Sequence, residues 1–143
     1  LNAFNNKKKL IIRNPNHVRP WQHILEPLHG YIILAEKLFK NEIKNVGHSW
    51  NFGPKNDSFI KVYKLLEKIN KIIKINKISV KTNYYKETKI LKLNSYKSTK
   101  HLKWKQKWGI DDTIKKILDW NNDFKNKKNV KQLCEEQIKE YLS

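Results

Sequence analysis

Apolar residues in this chain recur in short runs at helical or extended spacing, never in the long alternating stretches that a self-contained sheet requires. Leu10-Ile11-Ile12 predicts a strand closed by the turn-forming Asn14-Pro15-Asn16. Trp21 to Leu25 can run extended toward Pro27, which suits a first helical position. Leu28, Tyr31, Ile32, Ala35, Leu38 and Phe39 then fall on one face of an amphipathic helix, with Lys37, Lys40 and Glu42 mostly outside it. His48 to Phe52 predicts a short buried strand closed by Gly53-Pro54. Asp57 or Ser58 can cap a helix carrying Phe59, Val62, Tyr63, Leu66 and Ile69, and Ile78 to Thr82 returns as strand. Ile90 to Leu93 alternates weakly. Ser95 can cap a short helix through His101, and Asp111 or Asp112 a longer one with Ile114, Ile117, Leu118 and Phe124. A last helix holds Val130, Leu133, Ile138, Tyr141 and Leu142. The fold class is mixed α and β, several helices with short scattered strands, some of which are expected to complete a sheet begun elsewhere.

At 143 residues and 38% hydrophobic content, one domain with a modest core spanning residues 1–143 is expected. Four prolines and four glycines leave no obvious linker. The five histidines show no metal-ligand spacing with one another or with Cys134, which speaks against zinc. Cys134 shares helical spacing with Val130, Leu133 and Ile138 and is expected to be a buried small hydrophobe rather than a nucleophile. No apolar stretch approaches the ~18 residues of a membrane span, and the run after the basic start is too brief for a signal peptide. A cytoplasmic protein without membrane attachment is expected, and the absent initiator Met suggests a fragment or processed start.

A net charge of +18 raises nucleic acid as a partner. Only Arg13 and Arg19 among the 31 basic residues are arginine, however, and the lysines are spread along the chain among Asn and Ile, which share A/T-rich codons. Biased base composition filling solvated positions is the favoured reading, and a purpose-built basic face the lesser one.

The segment Arg13-Asn-Pro-Asn-His-Val-Arg-Pro-Trp-Gln-His-Ile-Leu-Glu-Pro-Leu-His-Gly-Tyr31 resembles the corresponding segment of CDP-glucose 4,6-dehydratases, with Arg19-Pro-Trp-Gln-His23 its most specific part. Matches continue through Trp50-Asn-Phe-Gly-Pro54, Glu87, Leu91-Lys-Leu93, Leu102-Lys-Trp-Lys-Gln-Lys-Trp108 and Trp120, so the resemblance covers nearly the whole chain. The chain departs at Lys103, where the family usually has Gly, at Gln106, where it often has Pro, and at Lys86, where His commonly precedes the Glu. Sugar-nucleotide epimerases and other extended short-chain dehydrogenases show a similar order of elements.

The resemblance implies an α/β enzyme's C-terminal lobe, binding a CDP-sugar in deoxysugar biosynthesis. It implies that Arg19 holds the pyrophosphate, its planar fork aimed by the fixed φ of Pro20. The competing reading is an ion pair with a nearby carboxylate. Arg13, outside that context, reads as structural. Trp21 can offer an aromatic face to ribose or base, or simply pack in the core. His23 shares its face if the stretch is extended, and a buried histidine bonded to backbone is the favoured alternative to a ligand donor. Glu87 falls where the family lines its pocket with a hydroxyl acceptor, and a solvated pair with Lys86 is the rival. Asn51 and Gly53 sit at an expected strand end, where open α/β sheets bind ligands, though Gly53 serves equally as a turn. Trp104, Trp108 and Trp120 read as packing residues.

The family reaction needs NAD and a Tyr/Lys pair. No Gly-x-x-Gly-x-x-Gly or Gly-x-Gly-x-x-Gly sequence occurs here. Tyr85 with Lys89 and Tyr96 with Lys100 have the right spacing but not the family's position. The chain is therefore expected to hold no catalytic residue and no cofactor, to be inactive alone, and to need an N-terminal NAD-binding half, as a truncation, an isolated domain or part of a split polypeptide. The parent enzyme would be a lyase and a homodimer. Two alternatives remain: a basic nucleic-acid-binding module, and a structural remnant in which Arg19 is set against a carboxylate or turned from any cleft.

Overall fold

The structure, a computed structural model, describes residues 2–6, 8–43, 49–75, 77–81 and 87–143. Expectations for His48, Thr82, Tyr85 and Lys86 lie outside those residues. Contacts divide the chain into two compact units, Leu1–Pro20 with Phe59–Lys92, and Trp21–Ser58 with Leu93–Ser143.

The first unit begins with a short helix, α1 (Asn2–Asn5), followed by strands β1 (Leu10–Ile12) and β2 (Val18–Pro20). Beyond them lie β3 (Phe59–Lys61), α3 (Val62–Asn70) and β4 (Ile78–Val80). β1 and β4 pair in parallel, Leu10 with Ile78 through Ile12 with Val80. β2 pairs antiparallel with β3, Val18 opposite Lys61 and Arg19 opposite Ile60. On the other side of β2, Val18 N donates to Lys89 O at 2.9 Å and Leu91 N donates to Val18 O at 3.1 Å. Arg19 thus sits on an extended segment bracketed by backbone on both edges.

The helix expected from Asp57 or Ser58 begins later, at Val62, and Phe59 lies on β3 instead. Val62 N and Tyr63 N donate to the carbonyls of His17 and Pro15 at 3.0 Å each, so these first helical donors are satisfied without a capping side chain. Ser58 and Asp57 occupy a single 3-10 turn and bond to each other at 3.1 Å.

In the second unit, α2 (Leu25–Phe39) is followed by α4 (Tyr96–Leu102), α5 (Ile110–Lys125) and α6 (Val130–Leu142). Pro27 is the third residue of α2 rather than the first. The register is explained by Glu26, which is 0% exposed and must meet its donors inside the unit. Its carboxylate accepts from Lys107 N at 3.1 Å, from Trp108 N at 2.8 Å and from Tyr141 Oη at 2.7 Å, while its carbonyl accepts from Trp104 Nε1 at 3.1 Å. One residue at the head of α2 therefore ties down the 104–108 loop and the end of α6. Gln106 completes the loop: its buried amide accepts from Lys55 N and donates to Trp108 O, each at 2.6 Å. A proline, common at this position in the resembled family, could make neither bond.

Phe52, Leu102 and Trp104 form the apolar centre, with Ile33, Leu34, Ile43 and Trp50 packed against it. Gly30 lets α2 approach this centre, since a Cβ there would fall 2.3 Å from Phe52 Cδ1. The strand expected through Phe52 is absent over the described residues 49–52. The carbonyls of Asn51 and Phe52 instead accept from the side chains of Ser98, at 2.5 Å, and Gln22, at 2.7 Å.

The helix stripe read from the sequence is turned the other way. Leu28, Tyr31, Ile32, Ala35 and Phe39 are exposed, and the buried side carries Glu26 and Gly30. Ile117 and Phe124 on α5, and Val130, Ile138 and Leu142 on α6, are likewise exposed, whereas Ile110, Ile114, Leu118, Leu133 and Tyr141 are buried. Cys134, expected inside, is exposed beside the inward-facing Leu133. The expected caps also differ. Ser95 stands at the N-cap of α4, but its Oγ accepts from Gly53 N at 2.6 Å. Gly109 caps α5, with Asp112 accepting its N–H at 3.3 Å, and Asn129 caps α6 through Gln132 N at 3.2 Å.

Candidate ligand-binding site

Arg19 and Glu87, picked out separately in the sequence, meet in the first unit. The Arg19 NH2 group donates to Glu87 Oε2 at 3.3 Å. Its NH1 group donates to the carbonyls of Val18 and Thr88, at 2.9 Å each. The two carbonyls belong to the adjoining extended segments, so the strand pairing itself fixes where the guanidinium lies.

Two further residues join them. Arg19 NH2 lies 3.1 Å from His17 Nδ1, and because a guanidinium has only donors, the contact requires Nδ1 to accept. Asn14 donates its amide to Glu87 Oε2 at 3.1 Å from a backbone with φ of 50°, the left-handed conformation that asparagine tolerates. The sequence marked Asn14 only as a turn residue and His17 only as a histidine without metal spacing. No signal along the chain joins them to Glu87, which lies 73 residues beyond Asn14. The Arg19 side chain is 24% exposed and Glu87 35%, so the pair is reachable from water.

Trp21 and His23 belong to the second unit. Trp21 is half-buried, and its backbone N–H donates to Ser58 O at 3.1 Å. His23 is 2% exposed; its Nδ1 accepts from Leu25 N at 3.2 Å and its ring meets Trp108 edge-on at 4.9 Å. Burial pushes its pKa below the ordinary 6.5. Among the described residues no cluster of three or more His, Cys, Asp or Glu is placed to hold a metal ion, and no helix is long and apolar enough to cross a membrane.

The described glycines are taken up in packing and capping. A Cβ at Gly53 would fall 2.5 Å from Leu93 Cβ, Gly30 is pressed on Phe52, and Gly109 N–H is bound by Asp112.

The chain is similar over its whole length to CDP-glucose 4,6-dehydratase of Salmonella typhimurium, 32% identical over 145 residues. It spans 40% of that protein's length. No family model matches the chain. The resemblance read from the sequence is thereby shown.

Proposed function

We propose that this chain is the CDP-sugar-binding, C-terminal portion of an NAD-dependent dehydratase of the CDP-glucose 4,6-dehydratase kind, acting in nucleotide-sugar biosynthesis and inactive by itself. The observation that carries the proposal is whole-length similarity to a protein of that name combined with an arginine whose side chain is 24% exposed. Arg19 holds the pyrophosphate. NH1 stays on its two carbonyls and fixes the plane of the fork, while NH2 exchanges the carboxylate of Glu87 for a phosphate oxygen. Glu87, released, accepts from ribose or sugar hydroxyls. Trp21 and His23 are assigned to the ligand by the resemblance alone. NAD, when bound to the remainder of such an enzyme, supplies hydride transfer.

The Arg19–Glu87 pair also suits a second reading, a structural ion pair with no ligand. Calorimetric titration with CDP-glucose, CDP and an unrelated DNA duplex, at two salt concentrations, separates the readings. Binding of CDP-glucose and CDP that Arg19→Ala abolishes is expected. Binding of neither leaves the structural pair as the answer, and steeply salt-dependent duplex binding that ignores Arg19→Ala establishes the basic module instead.

A further inference from the structure

Three side chains of the first unit converge on one oxygen. Glu87 Oε2 accepts from Asn14 Nδ2 at 3.1 Å and from Arg19 NH2 at 3.3 Å, and His17 Nδ1 stands 3.8 Å from it. The same Nδ1 lies nearer to Arg19 NH2, at 3.1 Å. His17 is thus set between a guanidinium that only donates and a carboxylate that only accepts, and a proton on Nδ1 decides which of the two it can bind. The backbone fixes this placement. His17 N donates to Asn14 O at 3.0 Å across the turn made by the left-handed Asn14, and His17 O accepts from Val62 N at 3.0 Å at the head of α3. The side chain is 15% exposed, so water can deliver a proton while the ring stays beside both partners.

With Nδ1 bare, the ring accepts from Arg19. A proton added there sets one N–H against another and places a second positive charge beside the guanidinium, so the contact becomes repulsive. The acceptor already at hand is Glu87 Oε2, about 1 Å beyond the length of a charge-assisted hydrogen bond. Other titratable groups on the surrounding elements are gathered elsewhere. Lys61 of β3 and Lys64 of α3 lie over the ring of Tyr63 at 5.6 and 5.2 Å, Lys64 pairs with Glu67 at 2.8 Å, and Lys89 beyond Glu87 is exposed.

We propose that His17 is a proton-operated switch on the ligand site, its protonated ring drawing Glu87 off Arg19 and leaving the guanidinium to a phosphate. The proposal rests on the ligand reading of Arg19 given above and adds its regulation. With the ring neutral, a phosphate must displace both Nδ1 and the carboxylate from NH2. With the ring charged, Oε2 passes to the imidazolium, NH1 keeps its two carbonyls and the aim of the fork, and NH2 is open beside a second cation. The other carboxylate oxygen remains for a sugar hydroxyl. Histidine is the side chain whose charge ordinarily changes between about pH 5 and pH 8, so the switch works near neutrality.

Calorimetry of the whole chain with CDP-glucose, from about pH 8 to about pH 5.5, tests the switch. Both phosphates of this ligand are esterified, and carboxylates ordinarily stay ionised over that range, so the ligand's charge is constant. Affinity is expected to rise as pH falls, by at most about ten-fold per pH unit because a single proton is involved. His17→Gln keeps an acceptor for Arg19 but gains no proton, and is expected to bind at every pH as the unaltered chain does at the alkaline end. His17→Lys, charged throughout, is expected to bind at every pH as the unaltered chain does at the acid end. Nuclear magnetic resonance of the unaltered chain needs no variant: CDP-glucose should move the titration of the His17 ring to higher pH. Equal affinity across the range, an undiminished pH dependence in His17→Gln, or a ring titration that CDP-glucose leaves in place would each overturn the switch and leave Arg19 its ligand. Absence of binding at every pH, in the unaltered chain and in His17→Lys alike, overturns the ligand reading and the switch with it.

Discussion

The hydroxyl of Tyr141 donates to Glu26 Oε2 at 2.7 Å, joining the last turn of α6 to the first turn of α2 across 115 residues of chain. Both residues are almost wholly shielded from water. A buried carboxylate is tolerated only when its oxygens are supplied with donors, and without the hydroxyl Glu26 Oε2 keeps only the longer bond from Lys107 N at 3.1 Å. Tyr141→Phe keeps the ring contact with Trp108 and deletes only the hydroxyl. It is expected to destabilise the protein by about 1–3 kcal/mol in urea unfolding followed by circular dichroism.

The same contact sets an alkaline limit. Burial first, and then the hydrogen bond and charge of Glu26, raise the Tyr141 pKa far above the ordinary 10.0. The unfolded chain therefore releases this proton at a lower pH than the folded one does. The contribution is fully present below pH 10 and is lost as pH rises beyond it. Stability measured above pH 10 is expected to fall less steeply in Tyr141→Phe than in the unaltered protein, and a parallel fall would show that Tyr141 does not titrate late.

His23 acts at the other end of the scale. Its pKa is depressed by burial, so the unfolded state takes up a proton first as pH falls. The stabilising contribution is present above pH 6.5 and is lost progressively below it. His23→Asn, which can still accept from Leu25 N, is expected to flatten the loss of stability below pH 6.5. An imidazole resonance that titrates at or above 6.5 in nuclear magnetic resonance would count against burial as the cause.

Local signals made the helices after residue 95 legible, because each needs only periodicity and a polar residue near its start. What the sequence could not tell was which side of a helix turns inward. Leu28, Ile32 and Phe39 satisfy every local criterion for a core face, yet Glu26 and Gly30 define the buried side of α2. A buried glutamate has no sequence signature, since its donors come from Lys107, Trp108 and Tyr141. The candidate site divides in the same way. Arg19 and Glu87 stood out through their neighbours and the resemblance, whereas Asn14 and His17 join them only through the chain's return at Thr88 and Lys89.

Lys103 follows the last residue of α4 with φ of 58°, a left-handed backbone that crowds any Cβ. The resembled family usually has glycine here, and the geometry gives the reason. Lys103→Gly relieves the crowding but adds freedom to the unfolded chain. A net gain of about 1 kcal/mol is expected, seen as a higher thermal midpoint.

Glu87 presents the sharpest question about the ligand site, because it occupies the very NH2 group of Arg19 that a phosphate would take. Glu87→Gln preserves the shape and an oxygen acceptor for a hydroxyl while removing the negative charge that opposes a phosphate. CDP should therefore bind several-fold more tightly to Glu87→Gln than to the unaltered chain, whereas Glu87→Ala, lacking the acceptor, should bind CDP-glucose more weakly. Calorimetry on the two variants reads both effects. Weaker CDP binding in Glu87→Gln would mean that the carboxylate holds Arg19 in its productive orientation rather than standing in the phosphate's place.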